Sequence, residues 1–200
     1  ERRNAQTPRM WLALAGLGRC IPDDVEVVVL DAIGPSFSAG LDRAAFSPQG
    51  LPGQPGLVQL ASLPDPELDA AIAEFQLGFS RWSTSRFLSI AAVQGHAIGA
   101  GFQLALAADL RIAADDVQLA MREPSLGLVP DLGGTKPLVE AVGYPRALEI
   151  CATGRAIGAD EALTLGLVQR VVPAADLDAA VDLTVQALLA ADVDAVLATR

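Results

Sequence analysis

The chain has 200 residues, the length of one domain with room for a short appendage. Hydrophobic residues make up 52% of it and charged residues only 19%, a composition that excludes a disordered chain and allows one substantial core. Lys and Arg number 14 against 24 Asp and Glu, and the resulting net charge of -10 would repel a phosphate backbone. We therefore expect no nucleic acid partner, and an anionic ligand would need local cations, helix N-termini or backbone N–H groups.

The two cysteines, Cys20 and Cys151, lie far apart in the chain and form neither a Cys-x-x-Cys motif nor a Cys/His cluster. Neither a disulfide framework nor a metal site is predicted, and a reduced, cytoplasmic setting is favoured. The start of the chain has no basic segment leading into an apolar one, so no signal peptide is predicted. The chain begins without methionine and stops inside an apolar-periodic stretch, so we expect residues to be missing at both ends.

The first part of the chain predicts a helix, a buried strand and a long loop. Thr7 and Pro8 are typical of an N-cap and a first helical position, and the apolar spacing continues the helix to Gly18. Residues 25–30 form a mostly β-branched run typical of a strand buried on both faces. Eight glycines and prolines within residues 48–66 predict a mobile loop.

The remaining elements alternate between helices and strands, which predicts an α/β layered fold. Helices are expected at 67–86, 102–108, 133–142 and 145–153, strands at 87–93, 110–113, 117–120 and 168–172, and a turn at 95–101. From residue 158 onward the chain is otherwise helical. Residues 88–108 carry no formal charge, but their polar residues and three glycines favour a strand, a turn and a buried helix over a membrane span.

Two familiar catalytic patterns are nearly present and fail on spacing. Gly99-Ala100-Gly101 follows a strand, but a dinucleotide-binding turn needs a small residue at position 104, where the chain has leucine. Residues 36–40 approach a nucleophile elbow, but position 36 is serine where glycine is required. The single histidine, His96, lies in a predicted turn, where a packed structural role is more common than a catalytic one. Dinucleotide binding and serine hydrolysis are therefore disfavoured.

Two glycine-containing turns, residues 37–42 and 95–102, each follow a predicted buried strand. Small residues let a backbone approach a ligand closely, and a turn that leads into a helix leaves N–H groups unpaired. Two such N–H groups could receive an oxyanion, with a carboxylate downstream on another loop. The glycines could equally serve the tight turns alone, and the spacing does not decide between the two interpretations.

Together these turns resemble the crotonase family, the enoyl-CoA hydratase/isomerase superfamily. The resemblance rests on F-S-A-G-L-D, G-H-A-I-G-A-G, A-A-D-L-R-I-A and G-L-V-P-D-L-G-G-T in that order, and it runs from the first residues to about Val172. It implies an α/β, crotonase-like spiral of ββα units that binds acyl-CoA over residues 1–157, and a truncated helical trimerisation region at 158–200. It also implies a homotrimer or dimer of trimers, a coenzyme A thioester as substrate, and no cofactor beyond that coenzyme A.

The resemblance also assigns roles to individual residues. The oxyanion hole would use the backbone N–H groups of Leu41 and Ala100, and alanine at position 100 can donate as well as the more usual glycine. The loop at 48–66 would line the acyl pocket. Substrate contacts are implied in the first loop and the two turns, at Arg2, Arg3, Ala39, Asp42 and Gly99. The two arginines, with Arg43 as a weaker candidate, are either local cations for the nucleotide phosphates or ordinary surface charges.

The family's hydratases use two glutamates, and this sequence keeps one of them. Glu123 matches the second glutamate, while the first falls on Gln103, which has no proton to exchange. One carboxylate suffices to move a double bond from the 3,4 to the 2,3 position, because it can remove a proton at one carbon and return it at another. We therefore expect an enoyl-CoA isomerase, with an enoyl-CoA hydratase and a non-catalytic acyl-CoA-binding subunit as the alternatives.

Two of the candidate catalytic residues have simpler explanations that stay open. Asp131 matches an aspartate of the family's dienoyl-CoA isomerases, but it could instead be an N-cap or turn residue before the next helix. Glu123 could be a solvated loop carboxylate. If it faces the pocket, its pKa should rise toward the working pH, as a general base requires, because it would be buried against Leu126, Leu128 and Phe102.

Overall fold

The strands of the chain form two β-sheets. The computed structural model describes residues 3–54 and 56–200. The larger sheet is parallel throughout and has the order β1-β2-β4-β7, formed by Val27–Leu30, Leu88–Val93, Leu110–Ala114 and Arg170–Val172. The smaller sheet has the order β3-β5-β6, with β3 and β5 parallel, formed by His96–Ile98, Gln118–Ala120 and Ile157–Gly158.

Helices connect these strands and cover the sheets. In chain order, α1 to α9 are Pro8–Cys20, Leu57–Leu60, Asp65–Ser80, Ala100–Leu106, Thr135–Val142, Tyr144–Thr153, Ala159–Thr164, Leu177–Leu189 and Val193–Leu197. Short 3-10 helices lie at Arg43–Phe46, Arg81–Ser83, Glu123–Leu126 and Ala174–Asp176. The Thr7 hydroxyl accepts a 3.2 Å hydrogen bond from Met10 N, which confirms the predicted N-cap of α1. No helix in the described part of the chain has the length and apolar character that crossing a membrane requires.

The path from β2 through β3, α4 and β4 to β5 forms the centre of the fold. All six residues of β2 are buried, and the last four alternate between two apolar clusters. Ala91 and Val93 belong to the larger cluster, Ile90 and Ala92 to the smaller one on the other face of the sheet. Each strand of the larger sheet is followed here by a short strand of the smaller one. This succession confirms the predicted α/β fold of ββα units.

The structure corrects the sequence prediction in the short elements. The predicted turn at 95–101 contains strand β3, because residues 96–98 pair with β5, and the predicted loop at 48–66 contains α2. Strand β1 is not buried on both faces: it is an edge strand whose Val29 is 38% exposed. The strand predicted at 168–172 shortens to β7, which joins the larger sheet beside β4. The division of the chain at residue 157 stays a prediction.

Helices α1 and α3 cross at close range. The ring of Trp11 packs edge-on against Phe75 and Phe79, with ring centroids 5.3 and 6.3 Å apart. At the crossing, a Cβ added to Gly78 would lie 2.5 Å from the carbonyl oxygen of Trp11. The two backbones can therefore approach this closely only because residue 78 has no side chain.

We expect Gly78→Ala to lower the free energy of unfolding by about 1 to 3 kcal/mol, because α1 and α3 must move apart. Gly16→Ala is the matched control on α1. A Cβ there meets no atom of the described residues within 4 Å. Since alanine favours the helix, the control should be neutral or stabilising by up to about 1 kcal/mol. Urea unfolding of both variants measures the difference, and equal effects would contradict the close crossing.

Candidate active site

The two glycine turns lie side by side because Ser38, in the first turn, forms a parallel bridge with Ala97 of β3. Ser38 N donates to His96 O at 2.8 Å, and Ile98 N donates to Ser38 O at 3.0 Å. The backbone of Gly99, between β3 and α4, has a φ of 52°, in the left-handed region that favours glycine. The first turn therefore runs alongside β3 and reaches the start of α4.

Two backbone N–H groups at this junction make no hydrogen bond to any described residue. Among the described residues, no hydrogen-bond acceptor faces the N–H of Leu41 or of Ala100, whereas the N–H groups of Gly40 and Gly99 are hydrogen-bonded within the fold. A Cβ added to Gly40 would lie 3.7 Å from the nitrogen of Ala100, so the two segments are in contact. Leu41 and Ala100 both line the same cavity. The arrangement can present two donors to one oxygen.

The cavity beside these residues has a volume of about 700 Å³. Its charged lining groups, among the described residues, are Arg43, Arg122, Glu123 and Asp131. Most of the wall is apolar and comes from α1, α3 and the segment around α2: Trp11, Leu57, Leu60, Ala61, Leu68, Ile72 and Phe75. The prediction that segment 48–66 lines the pocket is confirmed at positions 57, 60 and 61. An apolar cavity with a few polar groups is typical of a small-molecule site.

Glu123 begins a 3-10 helix and lines this cavity. The residue is only 9% exposed, so its interpretation as a solvated loop carboxylate is wrong. Its Oε1 accepts a 2.7 Å hydrogen bond from Gln103 Nε2, and its Oε2 is buried with no donor among the described residues. A Cβ added to Gly99 would lie 3.1 Å from Oε1, so a larger residue there would press on the carboxylate.

Burial raises the pKa of Glu123 above its ordinary value, as predicted. The negative charge of Asp131 raises this pKa further, while hydrogen bonds from the backbone and from Gln103 oppose the rise. Leu126 and Leu128, which were expected to provide the burial, are themselves 52% and 37% exposed, so their shielding of the carboxylate is incomplete. A carboxylate with a raised pKa is suited to act as a general base near neutral pH.

The orientation of the Gln103 amide follows from its hydrogen bonds. The side chain is 1% exposed, and its Oε1 accepts from Leu132 N at 3.0 Å and from Gly134 N at 3.1 Å. With the oxygen engaged twice, the amide directs its nitrogen toward Glu123. Gln103 is therefore a fixed donor to this carboxylate rather than an acceptor.

Asp131 lies in the turn that precedes α5 and lines the cavity while remaining exposed. The N-cap of α5 is Gly134, so Asp131 is not the N-cap, and its catalytic role stays a prediction. Its carbonyl oxygen accepts a 2.7 Å hydrogen bond from Gln76 Nε2, which ties the turn to α3. Partial burial against the cavity raises the pKa of the Asp131 carboxyl.

The residues predicted to contact substrate do not all reach the cavity. Ala39 and Gly99 line it. Arg3 is exposed, and its carbonyl accepts a 2.9 Å hydrogen bond from Ala39 N, but it is not among the described residues that line the cavity. Asp42 is not among them either, and its Oδ1 accepts a 3.0 Å hydrogen bond from the 3-10 helix that follows. Arg2 lies outside the described residues.

Several cavity residues were missed, among them His96 and Arg122. His96, interpreted as structural, lines the cavity with its neighbour Ile98, and its Nδ1 lies 3.3 Å from Ser36 Oγ. The signal would have been the alternation of a strand, in which positions 96 and 98 share a face. Arg122 had no signal beyond its place before Glu123. Across the described residues, no group of three or more His, Cys, Asp or Glu side chains is arranged to hold a metal ion.

The sequence of this chain is similar to that of known proteins. The family model for enoyl-CoA hydratase/isomerase matches residues 4–199. A Mycobacterium tuberculosis protein named "Probable enoyl-CoA hydratase" is 34% identical over 154 residues, which are 77% of this chain and 54% of that protein. The chain thus spans about half the length of this curated relative.

Solved structures agree with this assignment. A Thermobifida fusca YX protein assigned as an enoyl-CoA hydratase, in complex with CoA, is 52% identical with a TM-score of 0.91, over 99% of this chain and 75% of that chain. Its complex with acetoacetyl-CoA gives 51% identity and a TM-score of 0.92, over 99% of this chain and 76% of that chain. Because the family model covers nearly all of the sequence, the chain belongs to the enoyl-CoA hydratase/isomerase family.

Proposed function

We propose that the chain carries the catalytic site of an acyl-CoA enzyme that shifts the double bond of an enoyl-CoA. One observation carries this proposal: a single buried carboxylate, Glu123, lines a cavity beside two unpaired backbone N–H groups, those of Leu41 and Ala100. The proton next to a thioester carbonyl can be removed only if the resulting enolate is stabilised. Each oxyanion donor typically contributes roughly 3 to 4 kcal/mol to that stabilisation.

In the proposed reaction, the thioester oxygen accepts hydrogen bonds from the N–H groups of Leu41 and Ala100. Oε2 of Glu123, the oxygen that Gln103 leaves unpaired, removes a proton from C2 of a 3-enoyl thioester. The electron pair of that C–H bond forms a C1–C2 double bond, the carbonyl electron pair moves onto the thioester oxygen, and the C3–C4 double bond stays in place in the resulting dienolate. The carboxyl group then returns the proton to C4, which leaves the double bond between C2 and C3.

A coenzyme A thioester is proposed as the substrate. The related Thermobifida fusca protein has been determined with CoA and with acetoacetyl-CoA, and the apolar wall of the cavity suits a hydrocarbon chain. Arg43 lines the cavity and can contribute a local cation for the phosphates, with Arg2 and Arg3 proposed in the same role. Such local charge is needed because the chain as a whole has a net charge of -10.

Hydration of a 2-enoyl-CoA is the second candidate, because relatives are named as enoyl-CoA hydratases. Its difficulty is that Gln103, fixed as a donor, cannot exchange a proton with water. A non-catalytic acyl-CoA-binding role is the third candidate. The three are separated by offering the purified protein 2-enoyl-CoA and 3-enoyl-CoA in turn. Rapid water addition to the 2-enoyl compound would overturn the preference for isomerisation, and inactivity on both would favour binding alone.

Glu123→Gln should lower the isomerisation rate by about 10²- to 10⁴-fold, because the amide cannot accept and return a proton. The change keeps the shape of the side chain, so binding of a CoA thioester, measured by calorimetry, should be retained. Turnover within a few-fold of wild type would contradict the role given to Glu123.

Asp131→Asn should move the acidic limb of the pH–rate profile to lower pH. Asp131 raises the pKa of Glu123 through like-charge repulsion, so its neutralisation lowers that pKa and leaves more of the base ionised in acid. Asp182→Asn makes the same charge change on α8, which does not line the cavity, and should not move the limb. Loss of activity in Asp131→Asn would instead make Asp131 a proton carrier and contradict the single-base mechanism.

Gln103→Glu should raise hydration of 2-enoyl-CoA by about tenfold or more, because a second carboxyl group can then exchange protons. The new carboxylate keeps an oxygen for Leu132 N and Gly134 N. Its other oxygen replaces Nε2 against Glu123, so the pair must share a proton. Gln103→Met, which removes the amide without adding an acid, is the control. Unchanged hydration in Gln103→Glu would show that the missing glutamate does not limit this reaction.

Oligomeric state and cellular location stay predictions. The structure describes a single chain, so the trimer implied by the resemblance and the cytoplasmic setting favoured by the cysteine pattern are untested.

A further inference from the structure

Gln6 is a buried residue whose four polar groups all have partners. The residue has 0% exposure, although an amide side chain is costly to bury unless it is hydrogen-bonded. Its backbone N donates to Gly40 O at 2.7 Å, and its backbone O accepts from Asp42 N at 2.8 Å. Its side-chain Oε1 accepts from Trp11 Nε1 at 2.8 Å, and Nε2 donates to Ser38 Oγ at 3.2 Å.

These bonds hold the turn on both sides of Leu41, and the N–H of Leu41 itself has no partner in residues 3–54 and 56–200. The backbone of Gln6 forms a parallel bridge with Leu41, bonding to the residues before and after it. Ser38 Oγ extends the contact, since it donates to Asn4 O at 2.8 Å and accepts from Gly40 N at 3.2 Å. The direction of the Leu41 N–H is therefore set by contacts that converge on Gln6.

The side-chain amide of Gln6 also bonds to a residue in the wall of the cavity. Trp11, which donates to Gln6, lines the cavity and packs against Phe75. An apolar residue at position 6 would leave the buried indole N–H without its acceptor and would remove one partner of Ser38 Oγ. Gln6 thus joins the apolar wall to the turn that carries the donor.

We infer that Gln6 is a positioning residue, which fixes the Leu41 N–H so that it points at the oxygen that gains charge. The inference rests on the proposed function, because it assumes that this N–H meets a thioester oxygen. Gln6 touches no reacting atom and acts only through the turn. Pre-organised donors matter most when charge develops, so misplacement should affect turnover more than substrate binding.

The test compares wild type, Gln6→Leu and Ser38→Ala with two readouts. The first is turnover of 3-enoyl-CoA. We expect kcat to fall by about 10- to 100-fold in Gln6→Leu while KM changes little. The second is the ultraviolet absorbance of the enolate of acetoacetyl-CoA bound to the protein, which should be strong with wild type and weak with Gln6→Leu. Ser38→Ala should lose part of the same signal.

Ser89→Ala is the control for a merely structural effect. Ser89 is also fully buried and hydrogen-bonded, through its Oγ, to Trp82 O and Asp109, away from the cavity lining. It should lower the melting temperature and leave kcat and the enolate absorbance unchanged. Variants are compared well below their melting temperatures.

The possible results distinguish a wrong proposed function from a wrong positioning role for Gln6. No turnover and no enolate absorbance with wild type would overturn the proposed function. Normal signals with wild type and an unchanged kcat in folded Gln6→Leu would overturn the positioning role alone. Should Gln6→Leu not fold, Ser38→Ala decides: a weakened enolate absorbance supports the role, and a wild-type absorbance overturns it. The last comparison uses the variant that carries both Gln6→Leu and Ser38→Ala. If its loss of enolate absorbance is no larger than that of Gln6→Leu alone, Gln6 acts through Ser38, whereas additive losses contradict this.

Discussion

The bridge between Ser38 and β3 is the constraint on which the candidate site depends. It brings two turns that are distant in sequence into one hydrogen-bonded layer, with Ser38 bonded to both His96 and Ile98. Strand β3 is itself anchored by β5, so the donors at Leu41 and Ala100 rest on main-chain hydrogen bonds of the sheet. Such donors need little rearrangement when charge develops, which is the condition for effective electrostatic stabilisation.

A second set of contacts, between segments distant in sequence, positions the carboxylate of Glu123. Three segments meet at Glu123: its own 3-10 helix, α4 through Gln103, and the turn before α5 whose N–H groups hold the Gln103 oxygen. One of these contacts stabilises the ionised form, yet burial prevails and the pKa of Glu123 is raised. The fold therefore buries a carboxylate with a raised pKa within a strongly acidic chain.

The fold class and most of the candidate site could be predicted from the sequence, because both depend on local patterns of residues. Buried strands are visible as apolar runs, and the motif around Glu123 is contiguous in the chain. Strand β3 was not visible, because three residues between glycines become a strand only by pairing with β5. The bonds of the Gln103 amide and three of the four bonds of Gln6 are long-range contacts, so their partners could not be named from periodicity. Burial of Glu123 was expected from Leu126, Leu128 and Phe102, of which the fold leaves the two leucines exposed and buries the phenylalanine.

The one-sided environment of Glu123 has a stereochemical consequence. Gln103 holds Oε1 and leaves Oε2 as the carboxylate oxygen without a donor among the described residues, and we propose that this one oxygen addresses a single face of the acyl chain. In the proposed isomerisation, the hydrogen that leaves C2 and the one that arrives at C4 would then share that face. The double-bond shift would be suprafacial, with the opposite face of the hydrocarbon left to the apolar wall.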